Sequence, residues 1–383
     1  MTDNNENKVL NVPHLRFPEF SGEWEKCKFG DIATGFDYGM NAAAKPFDGE
    51  NKYIRITDID EASSTYNDKD LVSPDGALTD NYVVNNRDIL LARTGASTGK
   101  SYLYRKSDGK LYYAGFLIRA NVPKHNPYFV FSQLHTHRYW RWVSIMSARS
   151  GQPGINSQEY SSFPIFTTSL QEENKISALL SLLDARIATQ NKIIEDLKKL
   201  KSAIAERVFR VAHCDTVSLS EACTIQKGKQ VNGEYLSETG RYYVMNGGIE
   251  PSGYYDKCNT PADTISISEG GNSCGYIQYN REAFWSSGHC YTLNNINPDV
   301  CKLYLYHYLK SQESAIMKLR IGTGLPNIQK KDLEKFNILL PTVAKQERIS
   351  TFLTAIESKI MNEEMFLSHF HEEKQYLLRH MFI

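Results

Sequence analysis

Two stretches of this 383-residue chain carry one amphipathic pattern. SLQEENKISALLSLLDARI begins at residue 169 and TVAKQERISTFLTAIESKI at residue 342, so matching positions lie 173 apart. In the first, Ile176, Leu180, Leu183, Ile187, Gln190, Ile194, Leu197, Lys201, Ile204 and Val208 follow alternating steps of four and three. In the second, Ile349, Leu353, Ile356, Ile360, Glu363, Leu367, Phe370, Lys374, Leu377 and Met381 fall at the same steps. Steps averaging about 3.5 residues are the seam of a coiled coil. Placing the IS at 176–177 on the IS at 349–350 aligns 151–209 with 324–382 without a gap. Only 11 of those 59 positions are identical, so the shared apolar steps carry the case. Even the polar interruptions coincide, Gln190 with Glu363 and Lys201 with Lys374.

A helix over 171–208 would be about 57 Å long at 1.5 Å per residue. Thr168 and Ser169 offer capping hydroxyls before the first helix, and Pro341 marks the loop before the second. Neither helix can bury its stripe alone, so the economical partner is the other copy. If a pseudo-twofold axis relates the halves, the helices run antiparallel. A seam centred near residue 195 then sets Lys201 beside Glu363 and Gln190 beside Lys374, with Ile194 on Phe370 and Leu197 on Leu367.

Upstream of each helix lie short β-rich runs between Gly, Asn and Asp turns, again in two copies. WEKCKFGDIATGF (24–36) resembles TVSLSEACTIQKG (216–228), and YIRI (53–56) matches YVMN (243–246). ILLARTGASTGK (89–100) pairs with ISISEGGNSCGY (265–276), and GFLIRA (115–120) with GHCYTL (288–293). The expected fold class is therefore α+β, two mixed α/β heads separated by two long antiparallel coiled-coil helices, duplicated about a pseudo-twofold axis. The expected division is a first head over 1–165, a central helix over 166–210, a second head over 211–340 and a C-terminal helix over 341–383.

Composition narrows the class. The longest apolar runs are far short of a membrane span, and the polar, acidic start MTDNNENKVLNVPHLRF does not read as a signal peptide. Seven cysteines, without a C-x-x-C pair, suggest reduced thiols in a cytoplasm and no structural metal. Forty-four basic residues balance 44 acidic ones, which counts against a protein that coats DNA unaided. A specific reader whose partners supply much of the phosphate grip remains open.

Catalytic motifs are weak. GASTGKS (95–101) is close to a phosphate-binding loop but has three residues, not four, between Gly and Gly-Lys. Its duplicate GNSCG (271–275) continues with Tyr276 where the lysine would stand, which favours a turn between strands. HNPYF (125–129) reads as a loop entering a helix. His135, His137, His369 and His371 occur in i, i+2 pairs that do not face one another on a helix. No catalytic residue and no metal ligand is expected. The alternative is a stand-alone nucleotide-binding enzyme using the GASTGKS loop.

What the chain does offer is polar loops studded with aromatics. Arg, Lys, Asn and Gln are the side chains that read base edges, and glycine lets a backbone approach phosphate. The candidate DNA-binding residues are Arg55, Arg93, Lys100, Arg105, Arg149, Gln152 and Asn156 in the first head. Those in the second are Lys227, Lys229, Asn246, Arg320, Asn327 and Gln329.

With the duplication in view, the chain resembles the specificity subunit of a type I restriction–modification system over almost its whole length. The signatures are VPHLRFPEFSGEWEKCKFGDIA, DILLARTGASTGKSY, GFLIRA, the junctions GQPGIN and GLPNIQ, and the helical copies themselves. The resemblance implies two target recognition domains, each reading one half of a bipartite double-stranded DNA site. The helices would set the unread spacer and dock modification (methyltransferase) subunits, two of them. S-adenosylmethionine, and the ATP and Mg of motor-nuclease restriction subunits, would belong to those partners, with no cofactor in this chain.

Overall fold

The computed structural model describes residues 10–148, 153–210, 214–322, 324 and 326–383. It divides into two compact units, Met1–Gln190 with Phe366–Ile383, and Asn191–Met365. Two long helices, Leu170–Arg210 and Val343–His380, contribute residues to both. Among the described residues no helix is long and apolar enough to cross a membrane.

Within the first unit, Ile176 and Leu180 pack against Leu377, Leu378, Met381 and Phe382, together with Trp24, Phe129 and Phe166 of the head. Asp184 bonds Lys374 at 2.6 Å, and the Arg186 guanidinium lies 5.5 Å from the Phe370 ring centre. Within the second unit, Ile204, Val208, Ile349 and Leu353 join the core of the head. There Lys201 bonds Glu357 and Lys198 bonds Glu364, both at 2.6 Å. In each unit rising numbers on one helix meet falling numbers on the other, so the helices pair antiparallel. None of the twenty seam positions is exposed, and Ile176, Leu180, Ile187, Ile194, Leu353, Ile360 and Leu377 are buried. Leu183, Leu197, Ile204, Ile349, Ile356, Leu367 and Phe370 are half-buried. Each fully buried aliphatic side chain contributes about 1.5–3 kcal/mol.

The register expected from sequence is wrong. Lys201 meets Glu357 instead of Glu363, and Lys374 meets Asp184 instead of Gln190. Six residues correspond to about 9 Å along the axis, more than one turn. The layers Ile194 on Phe370 and Leu197 on Leu367 fall with that register. The physical reason is a degeneracy: sliding one helix by about a heptad brings seam onto seam again. Apolar spacing cannot choose between the two settings, and the ion pairs do. Burial opposes ionisation of Glu357, but the Lys201 ammonium and the Tyr306 hydroxyl hold its carboxyl below the ordinary range.

Each head repeats one sheet plan. In the first, the order is Thr34–Tyr38, Leu117–Asn121, Asp88–Ala92 and Ser101–Leu103, all neighbours antiparallel. In the second it is Thr224–Lys227, Cys290–Asn294, Thr264–Ser268 and Ile277–Asn280, again antiparallel. Asp88–Ala92 and Thr264–Ser268 are buried throughout, as expected of ILLA and ISIS runs between two strands. A parallel pair accompanies each sheet, Lys52–Ile54 with Leu111–Tyr113 and Tyr242–Met245 with Trp285–Ser286. Single-turn helices Phe29–Ile32 and Leu219–Ala222 open both heads. Asp31 accepts the Lys28 N–H at 2.8 Å, and Glu221 accepts the Ser218 N–H at 2.6 Å.

Head and helix are joined twice in the same way. Glu173, fully buried in the first turn of its helix, accepts the Asn126 N–H and faces His125 Nδ1, both at 2.8 Å. Asn126 caps the helix Pro127–Gln133, so HNPYF is a helix entry. At the matching position Gln346, also fully buried, accepts the Cys301 N–H at 2.8 Å and donates to the carbonyls of Pro341 and Asp299. Cys301 in turn precedes the helix Lys302–Ser311. Beside Glu173, Glu172 takes Arg16 through two bonds of 2.7 Å. Two carboxylates at a helix N-terminus are favoured by its dipole.

Candidate nucleic-acid interface

The end of each central sheet is built by a glycine-framed turn. Gly95 and Gly99 lie at φ +69° and +94°, and Gly271 and Gly275 at +78° and +94°. A Cβ on Gly99 would come within 2.8 Å of Val143 Cγ1, and one on Gly275 within 3.0 Å of the Met317 Cα. Both glycines are therefore structural. GASTGK joins two antiparallel strands, Asp88–Ala92 and Ser101–Leu103, and does not open onto a helix N-terminus. Lys100 bonds the exposed Glu61 at 3.2 Å. That geometry removes the nucleotide-binding alternative, because a phosphate loop uses the amides at the start of a helix.

Against this turn docks the junction that precedes each long helix. Gly95 N donates to Pro153 O and Gly271 N to Pro326 O, each at 3.0 Å. Ile155 N donates to Arg93 O and Ile328 N to Glu269 O, each at 2.9 Å, and both isoleucines are buried. Arg93 N donates to Phe116 O at 3.0 Å, and Glu269 N to His289 O at 2.9 Å. Across the sheet Tyr38 stands opposite Ile118, and Lys227 opposite Tyr291. The following glycines, Gly39 and Gly228, leave a Cβ only 2.2 Å from the carbonyl oxygens of Ala114 and Ser287. The backbone scaffold is thus the same in both heads, and it holds three positions: Tyr38, Arg93 and Phe116 in one, Lys227, Glu269 and His289 in the other.

The side chains on that scaffold differ. In the first head the Arg93 guanidinium lies 4.9 Å from the Tyr38 ring centre and 5.9 Å from that of Phe116. Its Nε donates to Gly115 O at 3.1 Å. Tyr38 is 43% and Phe116 56% exposed. Together they rim a cavity of about 630 Å³ that also takes in Met40 and Arg55. Arg55 grips Asp58 at 2.7 and 2.9 Å. In the second head Glu269 is nearly buried. Its Oε1 accepts from Lys227 Nζ at 2.5 Å and from Tyr291 Oη at 3.1 Å, and its Oε2 lies 3.4 Å from His289 Nδ1. Asn246 Oδ1 accepts the His289 N–H at 3.2 Å.

The structure therefore brings Arg55 with Arg93 and Lys227 with Asn246, and it sets Asn327, bridged to Gly270, beside the second group. Lys229 is exposed, and its carbonyl accepts from Trp285 Nε1 at 2.7 Å. Arg105 and Arg320 are exposed. Asn156 caps the helix Ser157–Ser161 through a 2.9 Å bond from Glu159 N, while Gln329 precedes the helix Lys330–Glu334. Arg149 and Gln152 lie outside the described residues. Tyr38, Phe116, Glu269 and His289 escaped notice in the sequence. The pairings of GFLIRA with GHCYTL and of ILLARTG with ISISEGG already laid Phe116 on His289 and Arg93 on Glu269. The side chains at these equivalent positions are unlike in charge and shape. His135 and His307 are packing residues: burial pushes both imidazoles down to about 4.

These features define a tandem module, a mixed α/β head continued by a long helix and made twice. The family model described as Type I restriction modification DNA specificity domain matches residues 21–199 and again 213–365, and the chain belongs to that family. A putative type I specificity subunit of Mycoplasma genitalium is 34% identical over 140 residues, 36% of each chain. A putative type I restriction enzyme specificity subunit of Methanocaldococcus jannaschii is 24% identical over 279 residues, 64% of each. The alignments to the first relatives thus span little more than a third of their length. The crystal structure of a type I restriction–modification S subunit from M. genitalium superposes with a TM-score of 0.71 at 18% identity, over 97% of this chain and 99% of that one. A structure described under complex assembly and conformational transition of the type I system gives 0.53 at 16% identity, over 94% and 97%. Both likenesses show a common fold.

Proposed function

We propose that this chain is the DNA-reading subunit of a type I restriction–modification complex and performs no chemistry itself. Each head reads one half of a bipartite double-stranded site, and the paired helices set the unread spacer and dock two modification subunits. Methyl transfer from S-adenosylmethionine, and ATP- and Mg-dependent translocation and cleavage, belong to the modification and restriction subunits in the cytoplasm. The observation that carries this reading is the double occurrence of one scaffold with unlike side chains at its exposed end. A duplicated enzyme would keep its reacting groups, whereas a reader of an asymmetric sequence needs the same frame and different contacts.

The physical logic follows from the balance of charges. A chain without net positive charge has no long-range attraction to DNA as a whole, so base-edge contacts and the basic surfaces of partners carry more of the affinity. Presenting two heads on one stalk raises the effective concentration of the second contact once the first is made. The test exchanges residues 24–165 for the first head of another specificity subunit and maps methylated motifs by long-read sequencing. One half-site should change while the other half and the spacer stay. A motif unchanged throughout, or changed in both halves, would contradict the reading.

A further inference from the structure

The three matched positions at the sheet ends carry more than a shared scaffold. Two of the three are fixed by backbone hydrogen bonds that do not depend on their side chains, namely Arg93 or Glu269 N–H to Phe116 or His289 O, and Arg93 or Glu269 O from Ile155 or Ile328 N–H; the third, Tyr38 or Lys227, is set by strand register. Where the backbone is held constant, the side chain is free to differ, and here it inverts in charge at the centre. In the first head a guanidinium lies within about 6 Å of the centres of two exposed rings, and among the described residues it forms no ion pair. In the second a carboxylate sits at the same point; its Oε1 accepts from a half-exposed ammonium, and an exposed imidazole lies 3.4 Å from its Oε2 without hydrogen-bonding it. Groups that only grip phosphate would keep a cation at the centre of both heads, since every phosphate is an anion.

We infer that this spot is where each head discriminates bases, with Arg93 reading paired acceptors such as the O6 and N7 of a guanine. In the second head Lys227 presents a single-point donor, and Glu269 is the positioning residue that aims it. The inference rests on the proposed DNA-reading role and names its specificity-determining residues. Arg93 is suited to a bidentate contact because its guanidinium lies 4.9 Å and 5.9 Å from the ring centres of Tyr38 and Phe116, with Nε donating to Gly115 O and the two terminal nitrogens supplying the planar fork. Glu269 is suited to positioning because it is nearly buried and its Oε1 takes Lys227 and Tyr291 at once.

The test uses the full chain in complex with its modification subunits and reads the methylated motif by long-read sequencing. Arg93→Lys keeps the charge and removes the fork; Arg93→Ala removes both. Glu269→Gln keeps the shape and releases Lys227. Arg93→Lys should make one position of the first half-site degenerate, and Arg93→Ala should lower methylation of the original motif ten- to a hundredfold. Glu269→Gln should alter the preferred base at one position of the second half-site only. A buried role in folding would weaken both halves together without changing which base is preferred. If the wild-type complex marks a bipartite motif and all three variants mark the same one, the assignment is overturned alone. If the wild-type complex marks no bipartite motif, the DNA-reading role falls and takes the assignment with it. Should Arg93→Ala fail to fold, Arg93→Lys decides the matter.

Discussion

Glu173 accepts the backbone N–H of Asn126 at 2.8 Å, and 173 positions later Gln346 accepts that of Cys301 at the same distance. Both acceptors are fully buried, so removing one strands a donor at the N-terminus of a head helix. Glu173→Ala should cost about 2–3 kcal/mol and speed amide exchange at Asn126, as expected for an unsatisfied buried donor. Glu173→Gln copies the second joint and should cost less than about 1 kcal/mol. Urea unfolding with hydrogen exchange at residues 125–129 would measure both.

The helix register is testable through its ion pairs. Lys201 and Glu357 are about one-fifth exposed, so their coupling exceeds that of a surface pair. A double-mutant cycle with Lys201→Met and Glu357→Gln should return about 1 kcal/mol of coupling. The same cycle between Lys201 and Glu363 should return close to zero, and a larger value there would restore the discarded register.

Acid should weaken the fold through two imidazoles. His135 bonds Ser64 Oγ and faces Phe131 O, His307 faces Thr354 Oγ1, and burial lowers both to about 4. An unfolded chain binds these protons from about pH 6.5 downward, whereas the folded chain stays neutral. Stability should therefore fall as pH drops from about 6.5 to about 4, and hold above that window. Thermal melts at stepped pH should show a shallower slope for the double variant His135→Gln, His307→Gln.

The glycine-framed turn separates structure from chemistry. Gly99→Ala forces a Cβ within 2.8 Å of Val143 at a φ of +94°, and should cost about 2 kcal/mol or more. Lys100→Ala removes one partly exposed ion pair and should shift stability by less than about 1 kcal/mol. Purified wild type and variant should both lack nucleotide turnover; turnover lost on Lys100→Ala would revive the enzyme alternative.

Stalk length is the fifth lever. Adding one heptad after Lys192 and another after Glu364 keeps seam on seam and adds about 10 Å. At about 3.4 Å per base pair the unread spacer should grow by about three. Unaltered spacer length in the methylated motif would detach the helices from that role.

Much of this was legible in the chain. The seam showed itself because a helix must repeat its apolar face every three or four residues, whatever the identity of each residue. The sheets showed themselves through ILLA and ISIS, runs apolar enough to be buried on both faces. What stayed hidden was whatever spacing leaves degenerate. A heptad slip preserves every apolar step, so cross-helix contacts such as Lys201–Glu357 and Lys374–Asp184 are needed to reveal the setting. Arg93 and Glu269 share a place because their main chains do, and side-chain chemistry carries no trace of that. Asn156 looked like a reader and is a helix cap, since asparagine suits both tasks equally.

Because main-chain bonds to Phe116, Ile155, His289 and Ile328 hold the sheet ends, the backbone frame does not depend on which side chains project from it. A lineage carrying such a frame can drift from one recognition sequence to another by ordinary point changes, without passing through an unfolded ancestor.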